Sequence, residues 1–175
     1  MRIAHKRIVV RDWTLDDVDA SLAIYGDPEV TKYLGGPPRE ETREEQAARI
    51  ERIRARAESD PYFAYWAVER EGDATPIGTG LCLKTKHSSG FEDMEDEYEI
   101  GWHLGREFWG QGYGTEVAEV MLQVGLEWHP KVIAVAFEPN IASLKIMQKI
   151  GMTYEGPTDR FFDIPGLVCY TASRT

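Results

Sequence analysis

The sequence predicts an α/β (α+β) domain with six to seven strands and helices packed against them. Three observations carry this. Strand-like and helix-like segments are interleaved along the whole chain: strand, two helices, three strands, helix, strand, helix, then one or two strands. One segment, VIAVAF (132–137), is apolar throughout, as a central strand covered on both faces must be. No internal repeat, low-complexity tract or linker divides the 175 residues, a length that suits one core. Residues 1–175 are therefore expected to form a single domain.

The elements follow in order. RIVVRDW (7–13) is short and β-branched and reads as a strand. TLDDVDASLAIY (14–25) is a helix: Thr14 and Asp17 make a capping box, and Leu15, Val18, Leu22 and Tyr25 recur at helical spacing. Gly26 and Pro28 stop it, and GGPP (35–38) is a second break. Residues 40–58 are charged, with a narrow apolar stripe of Ala47, Ile50, Ile53 and Ala57 and an i,i+4 pair of Glu45 and Arg49. They read as a surface helix whose charges face water.

YFAYWAVER (62–70) and PIGTGLCLK (76–84) are strands joined by the turn residues EGDA, and HSSGFEDMEDE (87–97) is an acidic loop. YEIGWHL (98–104) alternates. Tyr98, Ile100, Trp102 and Leu104 share one face, and Glu99, Gly101 and His103 the other. Val117, Val120, Met121, Val124 and Trp128 mark a helix buried along one side, ended by Pro130. NIASLKIMQKI (140–150) is a short helix with Asn140 at its N-cap and Gly151 at its C-cap. MTYEG and LVCYTAS are closing strands.

The net charge of −10 argues against a nucleic-acid partner, which needs a basic stripe. It favours a cationic small molecule or a peptide amine. No apolar run reaches the ~18 to 20 residues that span a membrane, and MRIAHKRIVV lacks the apolar core of a signal peptide. A cytoplasmic location is expected. Cys82 and Cys169 lie in no CxxC, and His5, His87, His103 and His129 have no zinc-ligand spacing, so two buried free thiols and no metal are expected.

The stretch REFWGQGYGTEVAEVML (106–122) sets three glycines, Gly110, Gly112 and Gly114, just before a helix. Glycine there implies positive φ or a close approach by something else. The first amides of a helix lack intrahelical acceptors and carry partial positive charge, so small residues let a phosphate reach them. The G-x-G-x-G spacing fits neither a dinucleotide fingerprint nor a Walker A loop.

EIGWHL, WGQGYGTEV and NIASLKIMQKIGM, in this order, resemble motifs of the GNAT superfamily of acetyl-CoA-dependent N-acetyltransferases. They are most similar to the RimJ/RimL-type branch of ribosomal-protein N-terminal-alanine acetyltransferases. RIVVRDWTLDDVDA is similar to that family's opening strand and helix, so the resemblance covers nearly the whole chain. It implies a mixed twisted sheet with two parallel central strands, YEIGWHL and VIAVAF, splayed to admit the pantetheine arm. Gly101 is a candidate bulge there. The backbone of Gly110, Gln111, Gly112, Tyr113, Gly114 and Thr115 would hold the pyrophosphate. The family pattern's first position falls on Trp109. Trp102, His103 and Leu104 would pair their main chain with pantetheine, and Asn140 would hydrogen-bond it near the thioester.

Resemblance also places Ser143 near the cofactor sulfur, where it would protonate the leaving thiolate, with Tyr170 as a reserve acid. Glu99 is the base candidate. An amine near pKa ~10 is protonated at neutral pH and cannot attack a thioester until a base takes its proton. His103 is a wall residue. Arg106, Lys145 and Lys149 stand either near the outer phosphate or simply on the surface. The implied reaction is acetyl transfer from acetyl-CoA to a primary amine, a protein N-terminus or a small molecule, by direct attack in a ternary complex. Two alternatives stay open: another acyl donor such as succinyl-CoA, and a non-catalytic acyl-CoA-binding module needing neither Glu99 nor Ser143. Monomer and homodimer are both compatible.

Overall fold

The structure, a computed structural model, describes residues 1–35 and 42–174. Eight strands form one sheet in the order β1-β2-β3-β4-β5-β6-β8-β7. They are β1 (Arg2–His5), β2 (Ile8–Arg11), β3 (Ala64–Arg70), β4 (Asp73–Lys84), β5 (Tyr98–Leu104), β6 (Lys131–Phe137), β7 (Thr153–Thr158) and β8 (Leu167–Ser173). The helices are α1 (Val18–Tyr25), α2 (Pro28–Thr31), α3 (Arg43–Ser59), α4 (Tyr113–Trp128) and α5 (Ile141–Lys149).

The expected count of six to seven strands is corrected to eight. The added strand is β1, an edge strand of four residues that turns into β2 through Lys6, a non-glycine residue at φ 51°. The helix expected over 14–25 begins as a 3₁₀ turn at Leu15–Asp17 and becomes α-helical at Val18. The Asp17 carboxylate accepts from the backbone N–H of Thr14, as the capping box requires, and also from the Thr14 hydroxyl. Of the GGPP break only Gly35 is among the described residues, and residues 40 and 41 of the next segment also lie outside them.

The i,i+4 pair is replaced by other partners. Glu45 accepts from the N–H of Thr42 at the α3 N-cap, and Arg49 turns inward to donate to the Tyr65 hydroxyl. Gln46, polar in sequence, is fully buried because its side-chain oxygen accepts from Ser21 at 2.6 Å.

Helices cover both faces of the sheet. On one, Val117, Val120, Met121 and Val124 of α4 pack against Ile100, Leu104 and Val132. Val117 and Met121 are fully buried, each worth roughly 1.5 to 3 kcal/mol by area. On the other, Trp13, Val18, Ile24, Tyr25, Val30 and Ile50 form a second cluster over Ala67. Cys82 and Cys169 are free and buried, and burial pushes both thiols up to about 12.

The decisive feature lies between β5 and β6. β5 pairs with β4 in unbroken antiparallel register from Tyr98 to Leu104. Gly101 therefore marks no bulge; a Cβ there would crowd Leu81 at 3.1 Å. Against β6, its parallel neighbour, β5 has one registered pair, Glu99 with Ile133. Beyond Glu99 the two strands diverge, so a gap opens toward the C-terminal ends of both.

Candidate active site

Two cavities meet at this gap. The first, about 400 Å³, is lined by Glu99, Gly101 and His103 of β5, by Val135 and Phe137 of β6, and by Leu81, Leu83, Tyr65 and Arg49. The second, about 520 Å³, runs along Leu104, Phe108, Trp109, Gly110, Gly112, Gly114 and Thr115. Trp102, His103, Asn140, Ser143, Tyr33 and Leu34 line both. The junction therefore brings together four residues expected from sequence, and adds two from the segment after α2.

The three glycines have two different causes. Gly110 (φ 72°) and Gly112 (φ 90°) hold left-handed backbone that side-chain-bearing residues resist. Gly112 is the N-cap of α4, and no side chain caps that helix. The N–H groups of Thr115 and Glu116 both return to the Gly112 carbonyl, while those of Gly112, Tyr113 and Gly114 find no backbone acceptor among the described residues. A Cβ on Gly110 would meet no protein atom within 4 Å. Gly114, by contrast, is helical, and a Cβ there would stand 2.9 Å from Ile146 of α5. It is small so that α4 and α5 can touch.

The loop is tied from behind. The Trp109 indole donates to the Leu104 carbonyl at 2.8 Å, and the Gln111 amide donates to the Glu107 carbonyl at 2.7 Å. Arg7 donates to the Gln111 carbonyl and to the Glu116 carboxylate, and lies over the Tyr113 ring at 4.6 Å. Every one of these bonds consumes a carbonyl or side chain and leaves the first amides of α4 free for a ligand. Uncharged backbone donors of this kind suit an anion even in a chain of net charge −10.

Asn140 caps α5, its side-chain oxygen accepting from the Ser143 N–H at 3.3 Å. That bond uses the carbonyl end of the amide. The NH₂ end has no protein acceptor among the described residues. Cap and junction-lining roles thus coexist in one residue.

Glu99 sits at the floor of the first cavity. It has no hydrogen-bond or ion-pair partner among the described residues, and burial alone pushes its carboxyl up to about 8. His103 is held neutral: burial, and then the nearby Arg49 charge, push it down to about 3. Its Nδ1 lies 3.2 Å from the Tyr25 hydroxyl, which lies 2.7 Å from Thr79 Oγ1. Arg49 stacks 3.6 Å over the Tyr25 ring. Burial holds the Tyr25 phenol above its ordinary range, so this chain of groups is uncharged up to His103.

Sequence reasoning missed Tyr25, Tyr33, Arg49, Tyr65 and Thr79 as site residues. Tyr25 was legible only as a core position. Arg49 sat in a charge run that reads as solvated, yet it lines the first cavity. Tyr170, the reserve acid, is buried and accepts from Gln148 at 3.1 Å; it lines neither cavity. Arg106, Lys145 and Lys149 are exposed and line neither. No cluster of His, Cys, Asp and Glu among the described residues could hold a metal, and none of the described helices is long and apolar enough to cross a membrane.

Residues 7–153 match the family profile described as "Acetyltransferase (GNAT) domain". The chain belongs to the GNAT acetyltransferase family. Among curated relatives it is 29% identical to the uncharacterized N-acetyltransferase YnaD of Bacillus subtilis over 160 residues, 89% of this chain and 85% of the relative. A solved GNAT-family acetyltransferase from Bacillus anthracis superposes with a TM-score of 0.74 at 23% identity, covering 99% of this chain and 98% of that one. RimL, a ribosomal L7/L12 α-N-protein acetyltransferase solved in complex with coenzyme A, superposes with a TM-score of 0.76 at 14% identity, covering 99% and 98%. At these identities the structural matches speak for the fold. GNAT enzymes use acetyl-CoA as acyl donor.

Proposed function

We propose that the protein transfers the acetyl group of acetyl-CoA to a primary amine by direct attack within a ternary complex, and that residues 1–175 act as one catalytic unit. The observation that carries this is the meeting of two cavities where β5 and β6 part, one bounded by uncapped amides and the other by an unpaired carboxylate.

In this reading the backbone of Gly110 to Thr115 holds the pyrophosphate, with the unsatisfied amides of Gly112, Tyr113 and Gly114 as donors. Pantetheine follows the main chain of Trp102, His103 and Leu104, and the free NH₂ of Asn140 donates to it near the thioester. The acetyl carbonyl then lies at the junction. The acceptor enters as an ammonium through the first cavity and gives its proton to Glu99. A carboxyl poised near 8 is well matched to this task, since base efficiency peaks when its pKa approaches the working pH. The neutral nitrogen attacks the carbonyl carbon, the C–N bond forms and the C–S bond breaks. Ser143 donates a proton to the departing thiolate and recovers one from the attacking nitrogen, and Glu99 releases the first amine proton to solvent. The products are an N-acetyl amine and CoA.

The test is CoA release over a panel of primary amines, with acetyl-CoA and succinyl-CoA as donors. Release with acetyl-CoA and an amine supports the reading. Preference for succinyl-CoA transfers it to the other donor. Binding of CoA with no release over the whole panel assigns the protein to non-catalytic acyl-CoA binding.

A further inference from the structure

The turn between β1 and β2 brings three consecutive side chains, His5, Lys6 and Arg7, onto the first two turns of α4. His5 and Lys6 hold the Glu119 carboxylate. Arg7 does more. Its backbone N–H and its Nε donate to the two oxygens of Glu116 at 3.1 and 2.7 Å. Its Nη2 donates to Glu116 and also, at 3.0 Å, to the carbonyl of Gln111 in the glycine loop.

The bond to Gln111 sets a direction. The peptide joining Gln111 to Gly112 is trans and planar, so its C=O and its N–H point to opposite sides. Holding the carbonyl toward Arg7 turns the Gly112 N–H away from Arg7. Gly112 lines the second cavity together with Gly110 and Gly114, whereas Arg7, Gln111 and Tyr113 lie behind it and do not. The N–H that Arg7 turns away is therefore delivered to the cavity side. A Cβ on Gly112 would stand 3.1 Å from Arg7 Nη2, so the missing side chain also lets the guanidinium close on this peptide.

Glycine places little barrier against rotation of the peptide before it. A flipped peptide would present a carbonyl oxygen where the N–H had been, and that oxygen repels an anion. The other ties of the loop, Trp109 to the Leu104 carbonyl and Gln111 Nε2 to the Glu107 carbonyl, do not touch this peptide group.

We infer that Arg7 is a positioning residue for the cofactor: it fixes the Gln111–Gly112 peptide so that an N–H, and not a carbonyl oxygen, meets the pyrophosphate. This rests on the acetyltransferase reading above and adds a residue to its cofactor site. Arg7 touches neither substrate; it acts through Gly112.

Removing Arg7 has two effects that must be told apart. Arg7→Met releases the peptide, and it also strands the buried Glu116 carboxylate in the first turn of the same helix. Glu116→Gln removes that charge, so the two single variants and the double variant form a cycle. CoA affinity is read by calorimetry. Glu116→Gln alone leaves Arg7 on Gln111 and should bind CoA at least as tightly as the wild type. Arg7→Met and Arg7→Met/Glu116→Gln should both bind at least ~10-fold more weakly, the effect of one misaimed hydrogen bond to a charged group. The double variant has no stranded carboxylate, so it carries the test should Arg7→Met fail to fold. With any amine the wild type acetylates, the double variant's KM for acetyl-CoA should rise while kcat at saturation stays within ~3-fold. In NMR titrations the Gly112 amide proton should move downfield as CoA binds the wild type, and much less in the double variant.

Wild-type CoA affinity in the double variant would overturn the inference, since Arg7 would then serve only to neutralise Glu116. A fall in kcat at unchanged KM would overturn it too. If the wild type binds no CoA, the acetyltransferase reading itself fails; if the wild type binds CoA and the double variant binds it as tightly, only the role of Arg7 fails.

Discussion

Replacing Glu99 with Gln keeps the side chain's shape and removes its basicity. The carboxyl is raised to about 8 by burial, so at pH 7 roughly one molecule in ten carries the carboxylate. An acceptor amine of pKa ~10.4 is neutral in about one molecule in 2,500 at that pH. The wild type uses the abundant ammonium with the ionised carboxylate. Its kcat/KM rises tenfold per pH unit up to about 8 and then levels until the amine itself titrates. The Gln variant must wait for neutral amine, so its kcat/KM climbs tenfold per unit all the way to ~10. The ratio of wild type to variant is therefore flat below pH 8, at ~10² to 10⁴, and falls tenfold per unit above it.

Mass-spectrometric measurement of the acetylated amine from pH 6 to 9.5 reads both profiles, with CoA affinity measured alongside. A ratio near one, or a ratio that does not bend near 8, would refute Glu99 as the base. Stability moves the other way with pH. The native carboxyl keeps its proton between about 4.5 and 8, where the unfolded one has lost it, so this stabilising difference is complete below 4.5 and gone above 8. The Gln variant should match the wild type at pH 4.5 and exceed it at pH 9 by roughly 1 to 3 kcal/mol, about 2 to 4 °C in Tm per kcal/mol.

Other substitutions separate binding from folding. Gly110→Ala puts a Cβ into open space beside the loop at positive φ; it should cost about 1 kcal/mol of stability and at least ~10-fold in CoA affinity by calorimetry. Unchanged affinity in the folded variant would return the loop to a purely structural role. Asn140→Asp keeps the acceptor that caps α5 but loses the NH₂ donor, so Tm should hold within ~2 °C while CoA binding weakens ~10-fold. A fall in Tm alone would leave only the cap. Tyr25→Phe strands Thr79 Oγ1 and His103 Nδ1 in a buried site and should cost roughly 1 to 3 kcal/mol in urea melts. A neutral result would mean that His103 is held by packing.

Local patterns were legible in sequence wherever one physical cause acts over a few residues. β5 alternates because one face meets α4 and the other a cavity, and its period of two survives intact. The caps at Thr14 and Asn140 are chemical necessities of helix ends, readable three residues at a time. β1 escaped notice because four residues at a sheet edge, two of them charged or polar, are too few to set a pattern, and its turn uses Lys6 where glycine or asparagine is usual.

Gln46 broke the stripe of α3 because its partner, Ser21, lies 25 residues away, and no local window contains both. The same limit hid the acceptor side of the site. Tyr25 follows from helix spacing as buried, but its hydroxyl's path to His103 depends on β4 and β5 lying side by side. Arg49 reaches the cavity only because α3 crosses β3. The glycine loop is the middle case. Its helix and anion chemistry are local, whereas the reason for Gly114 is Ile146 on another helix.

A crystal structure with CoA and a primary amine that supports CoA release tests the central claim most directly. The account predicts the pyrophosphate on the backbone of Gly110 to Thr115, bonded by the amides of Gly112, Tyr113 and Gly114, the sulfur at the junction between Trp102 and Ser143, and the amine within hydrogen-bonding reach of Glu99. A sulfur outside that junction, or an amine bound away from Glu99, would contradict it.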